Sequence, residues 1–93
     1  MTFINKLKGY QIIFEQQAKK DLKKINKPDA HAIKNKLAAL VAGDQNVDVK
    51  RIVAAKYPRY RLRVGCYRVL YDVYNREIVV KVIRVVHRKD AYI

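Results

Sequence analysis

Residues 57–73 read YPRYRLRVGCYRVLYDV, and the fold turns on them. Tyr60, Leu62 and Val64 alternate with Arg59, Arg61 and Arg63. After Gly65-Cys66, the residues Tyr67, Val69, Tyr71 and Val73 alternate with Arg68, Leu70 and Asp72. A period of two is that of a strand with one buried face. Gly65-Cys66 fits a two-residue type II′ turn, whose first central position takes a positive φ and favours glycine. With the turn centred there, Val64 faces Tyr67, Arg63 faces Arg68, Arg61 faces Leu70 and Arg59 faces Asp72. Like charges directly opposite each other are unfavourable. The pairing of Arg63 with Arg68 therefore predicts an arginine face left open, while the tyrosines and valines of the other face meet the core.

Downstream, Asn75-Arg76 signals the next turn, and residues 78–86 are apolar on both faces, as expected of a central strand. A two-residue turn puts Arg68 opposite Ile83 and brings Lys81, Val85 and His87 onto the arginine face. One extra residue in that connection reverses the facing. Upstream, residues 9–14 (GYQIIF) read as a short strand. Residues 15–26 place Ala18, Leu22 and Ile25 at helical spacing with lysines opposite. Asn26-Lys27-Pro28-Asp29 stops one helix and starts another. Ile33, Leu37, Leu40 and Val41 give the second helix its apolar stripe, and Gly43 ends it. Residues 44–56 read as a loop and residues 1–8 as a loose leader. The expectation is a single α+β domain over residues 1–93, in the order β-α-α-β-β-β. A helical hairpin packs on an antiparallel sheet of about four strands.

The chain has 93 residues, with 21 Lys and Arg against 8 Asp and Glu, a net charge of +13. Such an excess opposes compaction by self-repulsion and favours a polyanionic partner. Residues 49–71 hold no acidic residue, and Lys50, Arg51, Lys56, Arg59, Arg61, Arg63 and Arg68 fall there among tyrosines. Guanidinium forks and aromatic faces suit a phosphate backbone and its bases. One cysteine permits no internal disulfide and no cysteine-built metal cluster. The run 78–86 is broken by Lys81 and Arg84 and is too short to span a bilayer. The start, MTFINKLKGYQ, lacks the apolar run of a signal peptide. These features point to a cytoplasmic nucleic-acid-binding protein, with no membrane association.

The motifs A-x-x-D-L-x-x-I (Ala18, Asp21, Leu22, Ile25), YRLRVG-x-YRVLYDV and VIRVVHRKDAY resemble those of the RelE/ParE superfamily of toxins, and of its RelE branch in particular. The resemblance spans residues 9–92. It implies a ribosome-dependent mRNA endonuclease that works in the A site by attack of a 2′-hydroxyl, without a metal or other cofactor. It also implies a cognate antitoxin, with the natural state a hetero-oligomer. By the same resemblance Arg61, Arg63, Arg68, His87, Arg88 and Tyr92 are the catalytic candidates. Lys50, Arg51, Lys56, Arg59 and Lys81 are the candidates for RNA contact. The best-known RelE pattern carries lysines where this chain has Arg61 and Arg63. Arginine does not give up its proton in proteins, so neither is a general base. Both are expected to hold phosphate, which leaves His87 to carry a proton. Two alternatives use the same fold: a ParE-like inhibitor of DNA gyrase, and an RNA-binding domain without catalysis.

Overall fold

The computed structural model describes residues 5–53 and 59–90. Its elements are β1 (Gln11–Phe14), α1 (Gln16–Lys23), α2 (Lys27–Val41), β2 (Asp48–Arg51), β3 (Arg59–Val64), β4 (Tyr67–Tyr74) and β5 (Val79–His87), followed by a 3-10 turn (Arg88–Asp90). The helix punctuation follows from local chemistry. Asn26 caps α2 by accepting the Asp29 N–H at 2.9 Å, and Pro28 stands in the first turn, where its missing N–H removes no helical bond. At the other end Gly43 takes φ +83°. The Asp44 N–H then reaches back to the Ala39 carbonyl at 3.1 Å, which closes a Schellman motif.

The sheet has five strands in the order β1-β5-β4-β3-β2, so the α+β expectation stands with two differences. Residues 48–51, read as loop, form β2 antiparallel to β3. They are short and polar, as befits an edge strand, and carry no alternation to announce themselves. β1 pairs with β5 in parallel, so the sheet is mixed rather than antiparallel. That pairing joins residues some seventy positions apart, and no local pattern encodes it. The expected loose leader is also held from Asn5 onward. Asn5 is buried and donates through Nδ2 to the carbonyls of Leu40 and Asp44 at 2.7 and 2.8 Å. Leu7 joins the core.

The β3–β4 hairpin has the expected register: Val64 opposes Tyr67, Arg63 opposes Arg68, Arg61 opposes Leu70, and Arg59 opposes Asp72. Gly65 takes φ +57°, as the turn requires. One side of the sheet buries Leu62, Val64, Val69, Tyr71, Val80, Val82 and Val85 against Ala18, Ile33, Leu37 and Leu40. The β4–β5 register differs from the expected one. Residues 75–78, not two residues, make the turn, and Tyr74 opposes Val79. Pairing then shifts by one between Leu70 and Tyr71, whose partners are Arg84 and Val82. Ile83 is the unopposed extra residue of a β-bulge, and beyond it every side chain changes face. Arg68 opposes Val86, and Tyr67 opposes His87. Lys81, ahead of the bulge, stays on the arginine face opposite Asp72. Val85 and His87, beyond it, lie on the side of Val69 and Tyr67 instead.

β1 stops where the bulge begins. Phe14 is its last residue paired to β5, at Val82, and the Glu15 N–H still reaches the Val82 carbonyl at 2.9 Å. Past that point Asp21 of α1 serves the strand edge. Its Oδ2 accepts the Val85 N–H at 2.9 Å and the Arg84 Nε at 2.8 Å. Burial of this side chain, which is 10% exposed, opposes ionisation. The bonds from Arg84, Val85 and Gln17 outweigh that and hold its carboxyl below the usual range. A carboxyl with a lowered pKa adds stability above its unfolded value of about 3.9, and that stability fades as pH falls through the lower folded value. Asp21→Ala should therefore cost about 2 kcal/mol near neutral pH, the scale of charge-assisted hydrogen bonds. In denaturant titrations across pH, the gap between wild type and Asp21→Ala should narrow below about pH 4.

Candidate nucleic-acid interface

The sheet face away from the helices is built in cross-strand rows. The row nearest the Gly65-Cys66 turn runs Asp48, Arg63, Arg68, Val86 across β2 to β5. The next runs Lys50, Arg61, Leu70, Arg84. A third carries Arg59, Asp72, Lys81 and Ile13 of β1. Arg61, Arg63 and Arg68 are thus brought together by register alone, with Lys50 beside them. The backbone positions are rigid, because the β3–β4 ladder fixes them and the opposite face is the core.

The cations differ in what already holds them. Arg63 is exposed and makes no ion pair among the described residues. Arg68 is half-buried beside it. Arg61 is 16% exposed and reaches the exposed Asp48 carboxylate at 3.2 Å, while its buried Nε has no hydrogen-bond partner among the described residues. Arg59 is a different case. Its Nε and Nη2 grip Asp72 at 2.7 and 3.0 Å, and Asp72 is buried. Arg59 therefore serves the fold as the counterion of a buried carboxylate. Lys81 lies 3.5 Å from Glu15 and 5.4 Å from the centre of the Tyr74 ring. Arg51 opposes Tyr60 on the helix-facing side, at the sheet edge. Lys56 and Tyr92 lie outside the described residues.

His87 is the main departure from the expected site. The bulge at Ile83 puts it across the sheet from the arginines. Its ring stands edge-on to Tyr67, with centroids 5.3 Å apart and planes at 80°. It lines a cleft of about 440 Å³ with Asp21, Lys24, Tyr67, Arg84 and Asp90. Arg88, exposed, follows at the strand end, and its N–H donates to the Cys66 carbonyl at 2.7 Å. This bond ties the terminal turn to the arginine hairpin. Tyr60 and Tyr71 stack at 5.5 Å on the core side and are not available to bases. Burial raises the pKa of the Tyr71 hydroxyl well above the tyrosine range. Among the described residues, no group of three His, Cys, Asp or Glu side chains comes together to hold a metal ion, and no helix is long and apolar enough to cross a membrane. Asp48 and Asp21 are the site-shaping residues that pattern reading passed over. Asp21 sat in the helix motif, but nothing in the sequence linked it to β5.

The sequence matches the family model of the ParE toxin of type II toxin–antitoxin systems, parDE, over residues 12–92. The chain therefore belongs to this toxin family, within the RelE/ParE superfamily. No curated protein matches it. Among solved structures, it is similar to the archaeal RelE–RelB complex from Pyrococcus horikoshii OT3, with a TM-score of 0.73 and 24% identity over 88% of this chain and 98% of that one. The RelB–RelE antitoxin–toxin complex from Methanococcus jannaschii gives 0.70 and 29%, over 86% and 94%. The RelBE2 toxin–antitoxin complex from Mycobacterium tuberculosis gives 0.68 and 25%, over 85% and 98%. The fold is that of RelE toxins, and the protein is a RelE-like toxin of a toxin–antitoxin system.

The two kinds of arginine separate experimentally. Arg59→Gln leaves the Asp72 carboxylate buried without its main counterion and should cost about 3 kcal/mol. Arg63→Gln relieves a like-charge pair and should leave stability within about 0.5 kcal/mol of wild type. Urea unfolding of the two variants measures both.

Proposed function

We propose that this toxin is a ribosome-dependent mRNA endonuclease that acts in the cytoplasm, cutting the codon in the A site. The observation that carries the reading is the juxtaposition of Arg63 and Arg68 across β3–β4, beside Arg61, on the sheet face away from the helices. Stability alone disfavours this pairing, and a bound phosphate backbone reverses its sign. In the proposed reaction the mRNA 2′-hydroxyl gives its proton to water as its oxygen bonds to the adjacent phosphorus, and the bond to the 5′-oxygen breaks as that oxygen takes a proton from water. A 2′,3′-cyclic phosphate and a 5′-hydroxyl result, and no metal takes part. Arg61, Arg63 and Arg68 hold the backbone in line, and Arg88 at the rim adds positive charge where the phosphorane builds negative charge. The guanidiniums stay protonated throughout, so they align and neutralise without moving a proton. Tyr92 stacks on or orients a base, and Lys50 tracks the flanking backbone. Lys56 is a further candidate for that contact. A cognate antitoxin forms the resting hetero-oligomer. This partner is proposed by analogy with the relatives solved as complexes with RelB.

The family match favours a second reading, since the matching model is that of ParE: inhibition of DNA gyrase without nuclease chemistry. The two make different products. Purified toxin added to a translating extract should cut a translated message within codons and leave the naked message intact. Arg63→Gln and Arg68→Gln should each lower the rate by about tenfold or more. Intact mRNA in the extract, together with double-strand DNA breaks in expressing cells, would replace the nuclease reading with the gyrase one.

A further inference from the structure

His87 ends β5 directly before the 3-10 turn Arg88–Asp90. Its Nδ1 accepts the backbone N–H of Lys89 at 3.2 Å. A side-chain acceptor that takes the N–H two residues onward is the arrangement by which Asn, Asp and Ser cap turns and helix starts. The preceding amide is held as well, because the Arg88 N–H donates to the Cys66 carbonyl at 2.7 Å. Arg88 is therefore fixed on both flanks, by the arginine hairpin and by the imidazole.

This bond restricts what the ring can do. A nitrogen that accepts an N–H carries no proton, so the neutral ring holds its proton on Nε2. Nε2 then cannot accept a second proton, and Nδ1 can take one only by giving up Lys89. Tyr67 braces the ring edge-on, and the bulge keeps it on the opposite face from Arg63 and Arg68.

We propose that His87 is a positioning residue that caps the terminal turn and so sets Arg88 at the end of the arginine row, rather than a proton carrier. The inference rests on the nuclease reading only in taking Arg88 as a phosphate contact. The cap itself is independent of it. The groups around the ring are Asp21 from α1, Lys24 that caps it, Tyr67 from β4, Arg84 from β5 and Asp90 from the turn.

The test compares wild type, His87→Asn and His87→Ala. Asparagine offers Oδ1 near the place of Nδ1 but cannot carry a proton. Amide exchange of Lys89, read by NMR on the folded proteins, should show protection of about tenfold in wild type. His87→Asn should be protected to a similar degree, and His87→Ala should not be protected. In the translating extract, His87→Asn should cleave mRNA within about threefold of wild type with an unchanged pH profile, while His87→Ala falls about tenfold. Loss of cleavage in His87→Asn with Lys89 still protected would overturn the proposal in favour of proton transfer. Equal Lys89 exchange in wild type and His87→Ala would overturn it too, by removing the cap. Absence of cleavage by wild type itself would count against the nuclease reading, and the exchange pattern would still decide the cap.

Discussion

The carboxylate of Asp21 takes over the edge of β5 where β1 runs out, and much of the molecule follows from that handover. β5 is paired along one side by β4 throughout, and by β1 only as far as Val82. A central strand whose second half lacked a neighbour would leave backbone donors unserved at the heart of the sheet. Asp21 supplies the Val85 N–H and neutralises Arg84 with the same carboxylate. The bulge at Ile83 falls at the same boundary, which is where a ladder can absorb an extra residue with least loss. One helix residue thereby fixes α1 against β5 and stabilises the stretch of strand that ends in His87.

The handover also explains how a chain so positive folds around its own charge. Its cations fall into two groups. Arg59 and Arg84 face carboxylates that are buried or nearly so, Asp72 and Asp21, and their charge is consumed by the fold. Arg63, Arg68 and Lys50 lie on the face away from the helices, and Arg88 follows at the end of β5. Arg61 stands between the groups, shared with the exposed Asp48. Since surface ion pairs of that kind contribute little, a phosphate can displace Asp48 at small expense. A fold of this type supports more than one activity, and the placement of side chains decides among them. Here the cross-strand arginines of β3 and β4 are the placement on which the proposed mRNA cleavage rests.

The hairpin and both helices were legible in the sequence because their signals are local. A two-residue turn leaves one register for β3 and β4, and every pair from Arg59–Asp72 to Val64–Tyr67 follows from it. Capping at Asn26 and Gly43 is likewise written in neighbouring residues. The same local logic placed Arg61, Arg63 and Arg68 together. It failed for β2, a four-residue polar edge strand without a period, and for the leader, where Asn5 finds its partners thirty-five residues and more away.

The sequence by itself determined the α+β class, the αα-hairpin, the arginine face and the toxin superfamily, since alternation, turn chemistry and motif spacing all act over a few residues. Only the tertiary structure decided the parallel β1–β5 pairing and which arginines are held by buried or nearly buried carboxylates. It also decided the side of the sheet on which His87 lies. Each of these depends on groups distant in sequence meeting at one place. The clearest case is the bulge: a single unopposed residue, invisible in the pattern of residues 78–86, turned the one histidine near the arginines away from them.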